Sequence, residues 1–399
     1  MKIGIDCLEI KPDYAGGINT YLEGLLSGFN SVDRNQTNFI IFCSQKNKHF
    51  FEPLAKEYNF NLIEVKYYNK NIYNLFIIIP IIFNSRRLLR IFTNWYCQIF
   101  KVNETFEKNC NLIYVASTVL NSYNLKIPTM LSMHDIQHVH FPEFFSKFRN
   151  RVRTLRFYNS ALASTRIQAS SNFIKNDLLK HFSFLKSKRI KVITEGVNLD
   201  EFSESKSINV KDKFSLPEKF IFYPATLWKH KNHISVLKAL KIIEETNGIK
   251  IPLILTGGKN TAYNDLMSFI KENEMSYVRY LGKVSWGELI SLYKNAYLLI
   301  TAVLYESSSL PILEAAASNL PIIASKTPPN LEMGKVLKLN LFDPNDINDL
   351  VINLINCWDN LDVKAQKKFN LKKIKLYSWN NIASEYVKDF DLLLNNNKC

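Results

Sequence analysis

Tyr305-Glu306-Ser307-Ser308-Ser309-Leu310-Pro311-Ile312-Leu313-Glu314-Ala315-Ala316-Ala317 follows shortly after the apolar, β-rich run 297–301, and the step from one to the other decides the fold. Ser309 has the chemistry of a helix N-cap, and Pro311 suits a first turn, where a missing N–H costs nothing. Glu314 to Ala317 are strong helix formers, so a helix is expected to start near Pro311. A strand feeding a helix through a short polar loop is half of a βαβ unit, and such units build parallel sheets covered by helices.

The same grammar recurs outward in both directions. Upstream, β-rich runs at 220–223, 251–256 and 278–281 alternate with helical patterns, and 321–324 follows downstream. A separate series occupies 2–8, 39–43, 112–116, 129–133, 167–170 and 190–193. The polar stretch 203–213 separates the two series, so the chain reads as α/β with two doubly wound, Rossmann-like domains joined near 196–217. The expected bounds are 1–196 and 197–377, facing each other across a ligand cleft, with an amphipathic C-terminal helix within 378–399 packing back on the first domain. There is no GxGxxG, which leaves an ordinary dinucleotide site without support.

Composition narrows the class. The 399 residues are 47% hydrophobic and 22% charged, with 12 Gly and 13 Pro, which excludes a disordered polymer. A net charge of +15 favours an anionic partner. The six cysteines, Cys7, Cys43, Cys97, Cys110, Cys357 and Cys399, have no zinc-like spacing and are expected to be reduced thiols. The chain opens on a strand without a leader-like segment, so a cytoplasmic location is expected. The longest apolar run, 75–83, is interrupted by Pro80 and is far shorter than the ~20 residues of a spanning helix.

A helix that starts after a strand points its N–H groups and positive dipole end at the sheet's carboxyl edge, where an anion is stabilised. The serines 307–309 let a phosphate approach the backbone, while Glu306 and Glu314 offer acceptors to neighbouring hydroxyls, the combination a nucleotide sugar presents. Taken alone, the same residues also describe an ordinary capped helix. In Phe222-Tyr223-Pro224-Ala225-Thr226-Leu227-Trp228-Lys229-His230-Lys231-Asn232-His233, Asn232 is a plausible N-cap, and Lys231 beside it can neutralise a pyrophosphate unless it is simply solvated. Ser285 and Glu288 form a capping box, and a nucleobase fits against the turn of Lys283 and Val284. Gly16-Gly17 permits close backbone approach to a ligand or merely serves a turn. His134-Asp135 ends the strand 129–133, either at the ligand edge or as a core histidine beside a capping aspartate.

In this order along the chain, these segments resemble family 4 of the glycosyltransferases. The family's GG loop matches Gly16-Gly17, its HD strand end His134-Asp135, and its E-x7-E Glu306 and Glu314. Residues 223–233 are similar to the YPA-x-x-W-x-HKNH variety of bacterial surface-polysaccharide transferases, and Leu341-Phe342-Asp343-Pro344 echoes a Phe-Asp-Pro found in relatives. The resemblance implies a GT-B fold and a retaining, metal-independent transfer from a nucleotide-sugar donor to a glycan or lipid-linked acceptor, in synthesis of O-antigen, capsule or a similar polymer. It implies that His134, Lys231 and Glu306 act at the reacting sugar and its leaving group. Gly16, Gly17, Thr226, Lys231, Lys283, Val284, Glu306, Ser308, Ser309, Leu310 and Glu314 would hold the donor, with no metal and no other cofactor. Two positions depart from the pattern: Ser307-Ser308-Ser309 stands where many relatives have Gly-Phe-Gly, and Thr226 where they have an arginine. Serine hydroxyls or Lys229 are the candidates to replace that cation.

Two other classes share the architecture: a sugar-nucleotide epimerase, and a catalytically degenerate nucleotide-sugar-binding protein. Nucleic acid is not an expected partner, because basic residues do not gather with aromatics into a stacking motif. Arg86, Arg87 and Arg90 oppose Leu88, Leu89, Phe92, Trp95 and Tyr96 on one helical pattern. That pattern suits either peripheral contact with the anionic inner face of the cell membrane or, the favoured alternative, a core helix with solvated arginines.

Overall fold

A computed structural model of the chain describes residues 1–11, 17–32, 37–66, 68–204, 208–359 and 369–396. It divides into two units, Met1–Glu195 with Trp379–Cys399, and Gly196–Ser378. The first is built on β1 (Lys2–Asp6), β2 (Asn38–Cys43), β3 (Asn61–Glu64), β4 (Leu112–Val115), β5 (Thr129–Ser132), β6 (Arg166–Ala169) and β7 (Ile190–Val192). These pair in the order β3-β2-β1-β4-β5-β6-β7, every pair parallel.

The second unit holds β8 (Ile221–Pro224), β9 (Leu253–Thr256), β10 (Val278–Tyr280), β11 (Leu298–Thr301), β12 (Ile322–Ser325) and β13 (Asn340–Phe342) in the order β10-β9-β8-β11-β12-β13, again all parallel. Both sheets reverse their winding once, between β1 and β4 and between β8 and β11, and such a switch opens a crevice at the carboxyl ends of the strands. β3 and β13 are absent from the expected strand series. Both are short edge strands, and β3 is nowhere fully buried, so neither carries the apolar run that marks a central parallel strand.

Each sheet is packed on both faces, which explains its apolar strands. On β2, Phe39, Ile41 and Cys43 join one core while Ile40 and Phe42 join the other. Cys7, Cys43, Cys97, Cys110 and Cys357 are buried free thiols. The apolar run 75–83 falls mostly in the helix Lys70–Ile82, which pairs with the helix Arg86–Ile99 as a hairpin. Leu89 and Tyr96 of the latter turn inward, but Trp95 is 55% exposed, and Arg86 lies over the Tyr158 ring rather than in open solvent. Among the described residues no helix is long and apolar enough to cross a membrane.

The last helix, Trp379–Asn396, packs along Gly17–Asn30 of the same unit and places Ala383, Tyr386 and Phe390 in its core. The hydroxyl of Tyr21 meets that of Tyr386 at 2.5 Å and that of Tyr114 at 2.6 Å, satisfying three buried phenols together. Two glycines make the close approach feasible. A Cβ at Gly24 would lie 2.0 Å from Trp379 Nε1, and one at Gly28 would lie 2.4 Å from the Trp379 carbonyl oxygen. Replacing Gly28 with alanine raises helix propensity by about 0.5–1 kcal/mol, yet backbone cannot yield as a side-chain tip can, and overpacking costs roughly 1–3 kcal/mol. The clash should therefore win. Gly28→Ala is expected to lower the stability of the N-terminal unit by about 1–2 kcal/mol in urea unfolding, and a variant as stable as the parent would show that the two helices part freely.

Candidate functional site at the carboxyl edge of the C-terminal sheet

The segments leaving β8 and β11, the two strands at the switch, are bound to each other. Tyr223, on β8, accepts a hydrogen bond from the Ala302 amide at 3.1 Å and donates its hydroxyl to the Lys231 carbonyl. The Leu304 amide reaches the His230 carbonyl at 2.9 Å. His233 stacks on the Tyr223 ring with centroids 4.2 Å apart, and burial together with the Lys231 ammonium lowers the imidazole pKa to about 3, so the ring is a neutral brace. Fixed this way, the turn Lys229–Lys231 brings the Lys231 ammonium within 3.4 Å of Glu306 Oε2. Asn232 does not cap the helix His233–Asn247 through its side chain. It sits at the N-cap position with φ 53°, a left-handed turn that asparagine tolerates.

Glu306 is only 7% exposed. Burial raises its carboxyl pKa and the Lys231 ammonium opposes that rise. Ser309 and Asn330 approach the same carboxylate closely enough to favour its charge, yet neither meets it in hydrogen-bond geometry. Among the described residues, Glu306 Oε1, Ser309 Oγ and Asn330 Oδ1 are all buried without a hydrogen-bond partner. Ser309 takes the N-cap position of the helix Leu310–Ala317, with Pro311 in its first turn, but makes no side-chain capping bond, contrary to the expectation from its type. In the first turn Pro311 has no N–H, and the Ile312 amide donates to the Ser309 carbonyl at 3.1 Å, so the donor this helix start offers a ligand is the Leu310 amide.

Glu314 lies in the same helix and accepts the Tyr293 hydroxyl at 2.6 Å. Burial pushes its carboxyl up to about 7, against the effect of the Tyr293 bond and with a further rise from Glu201. Ser285 and Glu288 form the expected capping box at the helix Trp286–Asn295, which carries Tyr293.

On the other side of β8, the strand ends are equally close. A Cβ at Gly257 would lie 2.5 Å from the Ala225 carbonyl and 2.7 Å from the Thr226 amide, and Gly257 has φ 125°, so only glycine fits after β9. The point where a Gly258 Cβ would stand is 3.4 Å from Lys283 Cε and 3.7 Å from Thr226 Cγ2. Thr226 and Lys283 thus flank one gap, beside Val284. Lys229 instead lies 3.8 Å from Asp265 and is half exposed.

Residues overlooked in the sequence complete the site: Gly257-Gly258, announced by a Gly pair after a strand; Tyr293, on a helix 21 positions before Glu314; and Asn330, in the first turn of the short helix Pro328–Met333, without a distinguishing signal.

The remaining candidates belong to the N-terminal unit. Gly16 lies outside the described residues, and Gly17 opens the helix Gly17–Asn30. His134 follows β5 and its Nε2 bonds the Ala116 carbonyl at 2.8 Å, which assigns that nitrogen the proton and leaves Nδ1 an acceptor, 3.9 Å from Glu195 Oε1. Burial lowers the His134 pKa, with the Ala116 carbonyl and Asp135 opposing.

Residues 205–372 match the family model described as glycosyl transferases group 1. The O-antigen chain mannosyltransferase B of Escherichia coli is 24% identical over 267 residues, 66% of this chain and 70% of that protein. The UDP-Gal:alpha-D-GlcNAc-diphosphoundecaprenol alpha-1,3-galactosyltransferase of Escherichia coli is 27% identical over 230 residues, 54% of this chain and 57% of that one. Among solved structures, Anabaena Alr3699/HepE in complex with UDP and glucose matches with a TM-score of 0.71 at 17% identity, over 98% of this chain and 99% of that one. The fold is GT-B, with two Rossmann-like parallel-sheet domains. The chain is a glycosyltransferase.

The raised proton affinity of Glu314 has a measurable consequence. Its stabilising contribution is complete below the ordinary value of 4.5 and is lost as pH rises through about 7, because the folded chain then buries a carboxylate. Glu314→Gln removes this dependence. Between pH 4.5 and pH 8 its unfolding free energy should gain about 1–3 kcal/mol relative to the parent; parallel pH profiles would mean that the carboxyl ionises as freely as an exposed one.

Proposed function

We propose that the chain moves a sugar, with retention of configuration, from a nucleotide-sugar donor held by its C-terminal unit to a glycan or lipid-linked acceptor in bacterial surface-polysaccharide synthesis. The observation that carries this is the group of Lys231, Glu306, Ser309 and Asn330 at a helix start beside the sheet's switch point, with three buried polar atoms that no group among the described residues satisfies. A phosphate beside Lys231, the Leu310 amide and the Ser309 hydroxyl, and sugar hydroxyls against Glu306 and Asn330, would satisfy them. Glu314 accepts the ribose hydroxyls, the base lies at Lys283 and Val284, and Lys283 stands in for the cation that relatives carry at the place of Thr226. His134 offers its Nδ1 lone pair to a hydroxyl of the donor sugar, and Gly16-Gly17 admits the ligand close to the backbone. The O-antigen and undecaprenol-linked products in the names of relatives support the class of acceptor.

As the glycosidic bond breaks, positive charge grows on the sugar and negative charge on the departing diphosphate, so fixed donors around the diphosphate lower the barrier. Lys231 and the Leu310 amide at the start of Leu310–Ala317 supply them without a metal. The leaving phosphate takes the acceptor's proton on the same face, and no side chain acts as nucleophile.

A panel of UDP-, GDP- and dTDP-sugars, incubated without added metal, is expected to yield free nucleoside diphosphate and a glycosylated acceptor from one donor. Lys231→Ala should lose about 2–4 kcal/mol of transition-state stabilisation, roughly a 10²–10³-fold fall in kcat/KM. Release of an isomerised nucleotide sugar would instead identify an epimerase. Binding without turnover would identify a degenerate receptor, and neither binding nor turnover would end the proposal.

The N-terminal hairpin supports peripheral membrane contact for a lipid-linked acceptor. Leu75, Ile78, Ile79, Ile82 and Phe83 are exposed with helical spacing, Leu75 and Phe83 at 68% and 71%, and Arg87 and Arg90 follow on the next helix. The chain should co-sediment with anionic vesicles at low salt, and Phe83→Glu should weaken that binding on the order of tenfold. Equal sedimentation of the two proteins would assign the hairpin to another partner.

A further inference from the structure

Three side chains of the N-terminal unit that the transfer does not use converge on one point. The short helix Gln137–His140 begins three residues beyond His134 and ends in His140, while the helix Asn172–His181 carries Asp177 and His181 four residues apart on one face. His140 Nε2 lies 2.7 Å from Asp177 Oδ2, and His181 Nε2 lies 3.3 Å from Asp177 Oδ1. The imidazoles stand edge to face with centroids 5.4 Å apart. The carboxylate between them is 5% exposed, whereas the two imidazoles are 30% and 27% exposed, so one side of the group is anchored and the other faces solvent.

We propose that His140, Asp177 and His181 bind one transition-metal cation, with Zn²⁺ the best match. Two imidazoles and a carboxylate are a donor set for borderline ions, whereas Mg²⁺ and Ca²⁺ take oxygen ligands. Around a tetrahedral Zn²⁺ with bonds of about 2.0–2.1 Å, neighbouring ligand atoms stand about 3.4 Å apart. The His181–Asp177 separation of 3.3 Å is already near that value, the His140–Asp177 separation of 2.7 Å must widen, and all the ligand atoms lie within 4.8 Å of one another, so rotation of two partly exposed rings closes the site. On binding, each imidazole gives its Nε2 lone pair to the ion and carries its proton on Nδ1. The solvent side leaves a fourth position for water. The ion would tie Gln137–His140 to Asn172–His181 and so brace the segment that carries His134. It lies in the unit that does not hold the donor phosphates, and it takes no part in the metal-free transfer.

The test uses the untagged, chelator-stripped full chain in a Cys399→Ser background, titrated with Zn²⁺ against a chromophoric chelator and with Co²⁺ by visible absorption. One equivalent of Zn²⁺, tetrahedral-type Co²⁺ bands and a rise in Tm with Zn²⁺ are expected. His181→Ala and Asp177→Asn should each weaken that equivalent at least about tenfold and abolish the Tm rise, with the far-ultraviolet circular dichroism unchanged. His140→Ala, on the other helix, serves if either variant fails to fold. No stoichiometric Zn²⁺ in the parent, or an equivalent that His181→Ala and His140→Ala both retain, would overturn the proposal whatever the outcome of the donor assays.

Discussion

The Tyr223 hydroxyl holds together two segments that diverge from neighbouring strands, one crossing toward β9 and the other toward β12. It donates to the Lys231 carbonyl and accepts from the Ala302 amide, and the Leu304 amide adds a second tie to His230. At a switch point the two connections depart in opposite directions, so nothing in the sheet itself keeps their first residues adjacent. A cation and a carboxylate can be fixed 3.4 Å apart across that gap only because backbone, and not the long lysine side chain, is tied there. His233, stacked on Tyr223 and held neutral by burial, packs the ring against movement without adding a second positive charge.

The electrostatics of the site follow from this enclosure. Glu306 and Glu314 are both taken out of water, and both carboxyls hold protons more tightly than in solution. Their partners differ: Glu306 faces an ammonium, Glu314 a phenol. An ammonium favours the carboxylate far more than a neutral hydroxyl does, so the two positions of the E-x7-E pattern are chemically unequal. A hydroxyl-bearing ligand donates hydrogen bonds that favour the charged form of each, so ligand binding and deprotonation reinforce one another.

Central strands, the helix start near Pro311 and the Ser285 capping box were legible because each depends on residues a few positions apart. β3 and β13 were not, since an edge strand needs neither an apolar run nor alternation when its neighbour supplies the pairing. Ser309 shows the limit of a local rule. Its type and place call for a side-chain cap, but its side chain is buried beside Glu306, and its carbonyl takes the Ile312 amide instead. Asn232 shows the same limit, where a left-handed turn replaced a side-chain cap. Tyr293 with Glu314, 21 positions apart, and His140 with Asp177, 37 apart, come together only through tertiary packing, for which a single sequence holds no periodic signal.

Three unsatisfied buried atoms in one cluster are costly, because each polar group kept from water without a partner loses about 1–3 kcal/mol. Replacing Glu306, Ser309 and Asn330 with apolar residues of similar size would remove that cost, so folding alone gives no reason for their presence together. The three share one carboxylate, one lysine and one helix start, so a single ligand placed there meets all of them. A site left short of hydrogen-bond donors in this way discriminates strongly, since a ligand lacking the matching hydroxyls leaves the penalty in place while a matching one removes it. The destabilised cluster and the selectivity of the site are therefore two consequences of the same arrangement, and the rest of the fold has to be stable enough to hold it.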